Sequence, residues 1–206
     1  MGIDYQHFST GQSAKKSPDT FVLLFVGRLV EKKGVADLIT AFSILPEVLR
    51  NKTELWIVGD GAERKTLKTL AHSLNLADKV IFYGRLPNQQ LPDYYAAADL
   101  FIAPSVTDAS GDTEGQGVIL LETMASGTAV ISTKTGGIGE IVTHGKTGLL
   151  VAPEHAEELK SAIEHLLNDN ALRKSLAEAG KNSAQAYDWK SVGIQFSALY
   201  NQHIKN

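Results

Sequence analysis

The sequence predicts an α/β domain built on a doubly wound, parallel, six-stranded sheet of the Rossmann-like kind, followed by helices alone. Short apolar runs recur along the chain, the mark of strands buried on both faces. Between them lie stretches with apolar residues at helical spacing, joined by short connections. At 206 residues the chain is long enough to bury a core as one domain of the larger kind.

The elements follow in order. Phe21-Val22-Leu23-Leu24-Phe25-Val26 is an unbroken apolar run and reads as the first strand. Val35, Leu38, Ile39, Ala41, Phe42 and Leu45 recur with helical period, and Pro46 lies near that helix's end. Leu55-Trp56-Ile57-Val58 is the second strand; Gly59-Asp60-Gly61 turns into a helix carrying Leu67, Leu70, Ala71 and Leu74. Val80-Ile81-Phe82-Tyr83 is the third strand, and a helix over 91–98 leads to the fourth, Leu100-Phe101-Ile102-Ala103. A helix after Gly117 gives way to Ala129-Val130-Ile131-Ser132, and Gly148-Leu149-Leu150-Val151 is the sixth strand. From Pro153 onward the pattern is helical, over 157–167, 171–186 and 189–203. Val192, Phe196, Leu199 and Tyr200 form a stripe on the last helix. We read it as core packing, with a partner surface as the alternative. The polar segment 9–19, with Gly11 and Pro18, reads as a linker or irregular lead-in.

Composition excludes several classes of function. Apolar residues make up 43% and charged residues 21%, ordinary values for a globular protein. The net charge of −3, from 20 basic and 23 acidic residues, points to neither nucleic acid nor an anionic membrane surface as partner. With no cysteine, disulfides, thiolate catalysis and cysteine zinc sites are out. That fits a reducing compartment, and a cytoplasmic location is expected. No signal peptide is visible, and no apolar run is long enough to span a bilayer.

Ligands on such sheets sit beyond the carboxyl ends of the strands. Glu114-Gly115-Gln116-Gly117-Val118 reads there as a Gly-rich turn entering a helix, a place where backbone N–H groups face an oxygen-rich ligand. Seven residues separate Glu114 from Glu122. Eight helical rises would set the two acids on the order of 12 Å apart, the span of a nucleotide-sugar from ribose to transferred sugar. The alternative is a helix with one acid near its start and one on its surface. Arg28, after the first strand, and Lys33, at the start of the next helix, suit a diphosphate clamp: a bidentate fork and a point charge. The competing reading is solvated loop charge beside Glu31 and Lys32.

Other motifs carry less. Gly59-Asp60-Gly61 lacks the third glycine of a dinucleotide fingerprint, since Arg64 stands there, and it reads as a tight turn. Thr135-Gly136-Gly137-Ile138-Gly139-Glu140 lacks a Walker ending; it is either a turn or part of the same cleft wall. The six histidines show no paired metal spacing. Asp108 and Asp112 read as solvated loop residues, and Tyr95 as packing.

Taken jointly, these pieces resemble the C-terminal, donor-binding half of a retaining glycosyltransferase of family 4, with the GT-B fold. The resemblance spans nearly the whole chain. It rests on Gly2-Ile3-Asp4 with Phe8, Gly27-Arg28-Leu29 with Lys33-Gly34, Gly59-Asp60-Gly61, and Tyr95 with Ala98-Asp99. It continues through Pro104-Ser105, Glu114-Gly115-Gln116-Gly117, Glu122, Gly136-Gly137, Glu140-Ile141-Val142 and Gly148-Leu149-Leu150-Val151. The resemblance implies residues 1–20 as a lead-in from the interdomain region, 21–186 as the nucleotide-sugar-binding domain and 187–206 as a C-terminal helix. By the same resemblance Arg28 and Lys33 hold the donor diphosphate and Glu122 the ribose. Glu114, with the backbone of Gly115, Gln116, Gly117 and Val118, holds the transferred sugar. Gly84-Arg85-Leu86 frames the base. The donor is a UDP-, GDP- or ADP-sugar. No cofactor or metal is expected, and the implied activity is hexosyl transfer in polysaccharide biosynthesis. Attack is implied to come from the donor's front face.

Three departures stand out. Gln116 replaces an aromatic residue frequent in relatives, and the loop 106–113 is longer than the shortest family version. Met1 stands where Asn precedes Gly-Ile-Asp, so the chain is expected to be an excised half that lacks the acceptor-binding N-terminal domain and is inactive alone. Two competing readings remain: a stand-alone nucleotide-sugar-binding subunit of a two-chain enzyme, and a nucleotide-sugar epimerase of similar fold. The two acids point to transfer rather than to the epimerase.

Overall fold

A computed structural model describes residues 1–13, 16–17, 19–112 and 117–204, with side chains described to Asn201. The six expected strands form: β1 (Phe21–Val26), β2 (Thr53–Val58), β3 (Val80–Gly84), β4 (Leu100–Ala103), β5 (Ala129–Thr133) and β6 (Leu149–Val151). All pair in parallel, in the order β3-β2-β1-β4-β5-β6. The order reverses between β1 and β4, which creates a crevice at their carboxyl ends.

The apolar run of β1 explains its central place. Successive side chains of a strand point to opposite faces. Leu23 and Phe25 enter one core, with Leu55, Ile57, Leu100, Ile102 and Ile131. Val22, Leu24 and Val26 enter the other, with Trp56, Val58, Phe101 and Val130. The first core is covered chiefly by α2 (Val35–Ser43), α4 (Arg64–Ser73), α8 (Ala156–Asn168) and α9 (Asn170–Ala184). The second is covered by α1 (Tyr5–Ser9), α5 (Leu91–Ala97), α6 (Val118–Ala125) and α7 (Ile138–Ile141). Each fully buried Leu, Ile or Phe contributes about 1.5–3 kcal/mol. Asp99 joins two strand starts: its carboxylate accepts from the Val22 N–H and from Lys16, each at 2.8 Å.

Boundaries differ from the sequence reading in places. Pro46 lies just past the end of α2, as read from sequence, but Leu45 falls outside that helix, which stops at Ser43. Pro46 is the N-cap of a separate short helix, α3 (Glu47–Asn51), because proline suits a helix start. The helix expected over 171–186 stops at Ala184 and tightens into a 3₁₀ turn, Gln185–Tyr187. The lead-in is partly ordered as helix: α1 is capped by Asp4, which accepts from the His7 N–H at 3.0 Å, and Ile3 and Phe8 are buried.

The last helix, α10 (Trp189–Ile204), corrects one expectation. Three residues of the stripe are exposed rather than packed into the core: Phe196 is 74% exposed, Tyr200 64% and Leu199 56%. The period of a stripe gives its face but not what covers it. The start of α10 is pinned by the N-terminal segment, where Ile3 donates to the Tyr187 carbonyl at 2.9 Å and accepts from the Trp189 N–H at 3.0 Å. No described helix is long and apolar enough to cross a membrane.

Candidate functional site

At the carboxyl ends of β1, β2 and β3 lies an open cleft of about 500 Å³. Its walls are Val26, Gly27 and Arg28 after β1, Val58 through Gly61 after β2, Arg85 and Leu86 after β3, and Leu91 at the start of α5. The three loops are laced together as the ladder runs on past the strands. Gly27 donates to the Val58 carbonyl at 2.9 Å, Gly59 to the Gly84 carbonyl at 2.8 Å, and Leu29 to the Asp60 carbonyl at 3.0 Å. Gly59 has φ of 136°, a conformation that disfavours any side chain. Gly59-Asp60-Gly61 is therefore a turn, as read from sequence, and also a wall of the cleft. Sequence reasoning missed the second role, and so missed Leu91.

Charge in the cleft is unbalanced. The Asp60 carboxylate is occupied, accepting from the Gly61 N–H at 2.8 Å and from Arg64 at 3.2 Å. Arg28 and Arg85 are exposed, and no carboxylate among the described residues pairs with either. Two guanidinium groups thus face a concave, partly apolar space. Among the described residues, no group of three or more His, Asp or Glu could hold a metal ion.

A narrower recess adjoins the cleft, and Val26 lines both. Lys33, Ser105, Gly117 and Ile138 are among its walls. Lys33 comes from the 3₁₀ turn Glu31–Lys33 that precedes α2, and Gly117 is the N-cap of α6. Gly34 is needed where it stands: φ is 62° and a Cβ would lie 1.9 Å from the Pro104 carbonyl oxygen. The two loops are also joined by the Val106 N–H, which donates to the Lys32 carbonyl at 2.9 Å, and by the Lys32–Asp112 ion pair at 2.6 Å. Asp108 is part-exposed in its loop; the Ser110 hydroxyl first, with nearby backbone N–H groups, holds its carboxyl below the ordinary range.

Glu122 lies half-buried on α6, one turn past Val118. Burial pushes its carboxyl up, opposed by a hydrogen bond from Tyr95 and by the nearby His7 ring. The Tyr95 hydroxyl donates to Glu122 Oε2 at 3.0 Å. Tyr95 does pack, as its place in the sequence implied, but it also serves this acid. A buried tyrosine needs a partner for its hydroxyl, and that signal was available in the sequence pattern.

Of the residues singled out from sequence, the structure brings Arg28, Arg85 and Leu86 to the main cleft, and Lys33 and Gly117 to the recess. Val118 opens α6, and Glu122 follows on the same helix. Glu114, Gly115 and Gln116 lie outside the described residues.

Comparison with known proteins bears on the same region. The model of the family described as "Glycosyl transferases group 1" matches residues 9–183. The GDP-mannose-dependent alpha-(1-6)-phosphatidylinositol monomannoside mannosyltransferase of Mycolicibacterium smegmatis is 33% identical over 209 residues, covering 96% of this chain and 54% of that protein. Among solved structures, sucrose-phosphate synthase from Thermosynechococcus elongatus superposes with a TM-score of 0.84 at 30% identity, covering 99% of this chain and 51% of the other. Anabaena HepE in complex with UDP superposes at 0.82 with 26% identity, covering 98% and 56%. The C-terminal domain of the group 1 glycosyl transferase LpcC from Francisella tularensis is covered over its whole length, with a TM-score of 0.77 at 25% identity and 91% of this chain matched. The chain spans about half the length of the curated relatives it matches. Its match lies on the C-terminal domain of the GT-B architecture, and the chain belongs to the group 1 glycosyl transferases.

Proposed function

We propose that this chain is the donor half of a retaining glycosyltransferase, holding a nucleoside diphosphate sugar in the cleft beyond β1, β2 and β3 and in the adjoining recess between β1 and β4. The observation that carries this reading is the pair Arg28 and Arg85, exposed in one cleft with no acid paired to either among the described residues. A polyanion with a flat apolar part suits such a space. Arg28 and Lys33 bind the diphosphate and stabilise it as it leaves, which is where a metal ion acts in other phosphate chemistry. Arg85 and Leu86 frame the base. Glu122 accepts the ribose hydroxyls, and Glu114, with the backbone from Gly115 to Val118, orients the transferred sugar.

The acceptor site belongs to a second half, and the exposed Phe196 and Tyr200 of α10 supply a surface for it. That surface suits a covalently joined domain or a separate chain. The second reading is accordingly a nucleotide-sugar-binding subunit of a two-chain enzyme. The donor base is open between the guanosine of the mannosyltransferase relatives and the uridine of HepE. Calorimetric titration of the 206-residue chain with UDP-, GDP- and ADP-sugars tests the reading. Saturable binding of one base class is expected, with Glu114→Gln weakening the sugar nucleotide but not the free diphosphate. The chain alone is expected to transfer no sugar. Absence of binding across the panel, or sustained transfer by the chain alone, contradicts it.

A further inference from the structure

We propose that Tyr95 is a positioning residue for the donor's ribose: its buried hydroxyl holds Glu122 Oε2 and so presents Oε1 to the sugar hydroxyls. The inference rests on the reading of Glu122 as the ribose acid. Three observations converge on it.

The first is the hydrogen bond itself, at 3.0 Å between the Tyr95 hydroxyl and Oε2, while Oε1 has no partner among the described residues. The second is the rigidity of the donor. Tyr95 is fully buried, with its ring edge-to-face against Phe8 at 6.0 Å and Phe101 at 5.8 Å. Its own carbonyl accepts from the Thr128 hydroxyl at 2.6 Å, which ties the end of α5 to the loop after α6. Packing of this kind fixes the place of the hydroxyl oxygen beside Glu122. The third is placement. Leu91, one turn before Tyr95 on α5, lines the main cleft, so the same helix contributes to the cleft wall and to the support of Glu122.

The chemistry is that of a polarised carboxylate. A neutral O–H on one oxygen fixes the plane of the carboxyl group and leaves the other oxygen as acceptor. Burial, and next the charge of Glu122, push the Tyr95 phenol well above its ordinary range, so it remains a donor at any working pH. Its bond to Glu122 opposes the burial that pushes that carboxyl up, and His7 on α1 acts in the same sense. Tyr95 therefore favours the ionised acid that a pair of ribose hydroxyls needs.

The test compares GDP and UDP with their 2′,3′-dideoxy forms, on wild type, Tyr95→Phe and Glu122→Gln. Tyr95→Phe keeps the ring and deletes only the hydroxyl. It is expected to weaken the ribonucleotide about fivefold to tenfold, on the scale of the net worth of one ordinary hydrogen bond, since the hydroxyl acts on the ribose only through Glu122. The dideoxy form, which lacks the hydroxyls, should bind wild type and Tyr95→Phe alike, and this also reports intact folding. Equal losses on both ligands would make Tyr95 merely structural and overturn the proposal. Full ribonucleotide affinity in Tyr95→Phe, with Glu122→Gln losing its preference for ribose, overturns it while leaving the role of Glu122 standing. If Glu122→Gln keeps the full preference, both readings fall.

Discussion

Gly59 sits against Gly27 so closely that a Cβ on Gly59 would lie 1.8 Å from the Gly27 carbonyl oxygen. This contact sets the separation of the loops after β1 and β2, and with it the floor of the cleft. Gly59→Ala is expected to cost about 2–4 kcal/mol, from the positive φ and the overpacking together. Gly139→Ala, where a Cβ meets nothing within 4 Å, is the control and should change stability by less than about 0.5 kcal/mol. Urea midpoints of the two variants check the contrast. Similar midpoints would mean the loops are not held at this distance.

Glu122 is a largely buried acid whose ionisation bears on stability. Burial raises its carboxyl above the ordinary 4.5 in the folded chain, so the folded state holds the proton more readily than the unfolded. The stability this contributes is complete below 4.5 and is lost as pH rises through the folded value. At neutral pH the ionised acid therefore costs stability. Glu122→Gln, which cannot ionise and still accepts from Tyr95, should melt higher than wild type at pH 7. About 1 kcal/mol corresponds to a shift of about 2–4 °C at this chain length. The gap should close as the pH falls toward 4.5. A gap that widens in acid contradicts this.

Phe196 on α10 is uncovered, so Phe196→Ala should change the stability of this chain by less than about 0.5 kcal/mol. Leu100→Ala, in β4 and fully buried, should cost about 2–5 kcal/mol. Thermal melts of both variants check the pair. A large loss for Phe196→Ala would place α10 in the core after all.

Much of the fold was legible because the strands are buried on both faces. Runs such as Val22 to Val26 leave no polar position for another reading. Arg28 in the cleft and Lys33 in the adjoining recess stood out too, since they stand next to a strand end and a helix start. Other features escaped for physical reasons. Gly59-Asp60-Gly61 fails a fingerprint that needs a third glycine, whereas its use here is a close approach of two loops. Tyr95 looked like packing because a hydroxyl adds little to an apolar pattern, and its partner lies 27 residues away. The stripe on α10 has the period of a core helix, but period alone does not say what lies opposite.

The central claim is that Arg28 and Lys33 together bind a diphosphate. Titration of wild type, Arg28→Ala and Lys33→Ala with a nucleoside and its diphosphate tests it most directly. Each charge-assisted contact is worth roughly 1.5–3 kcal/mol, so each variant should bind the diphosphate about tenfold or more weakly. Affinity for the bare nucleoside should change much less. Equal losses for nucleoside and diphosphate, or diphosphate binding untouched in both variants, would contradict the claim.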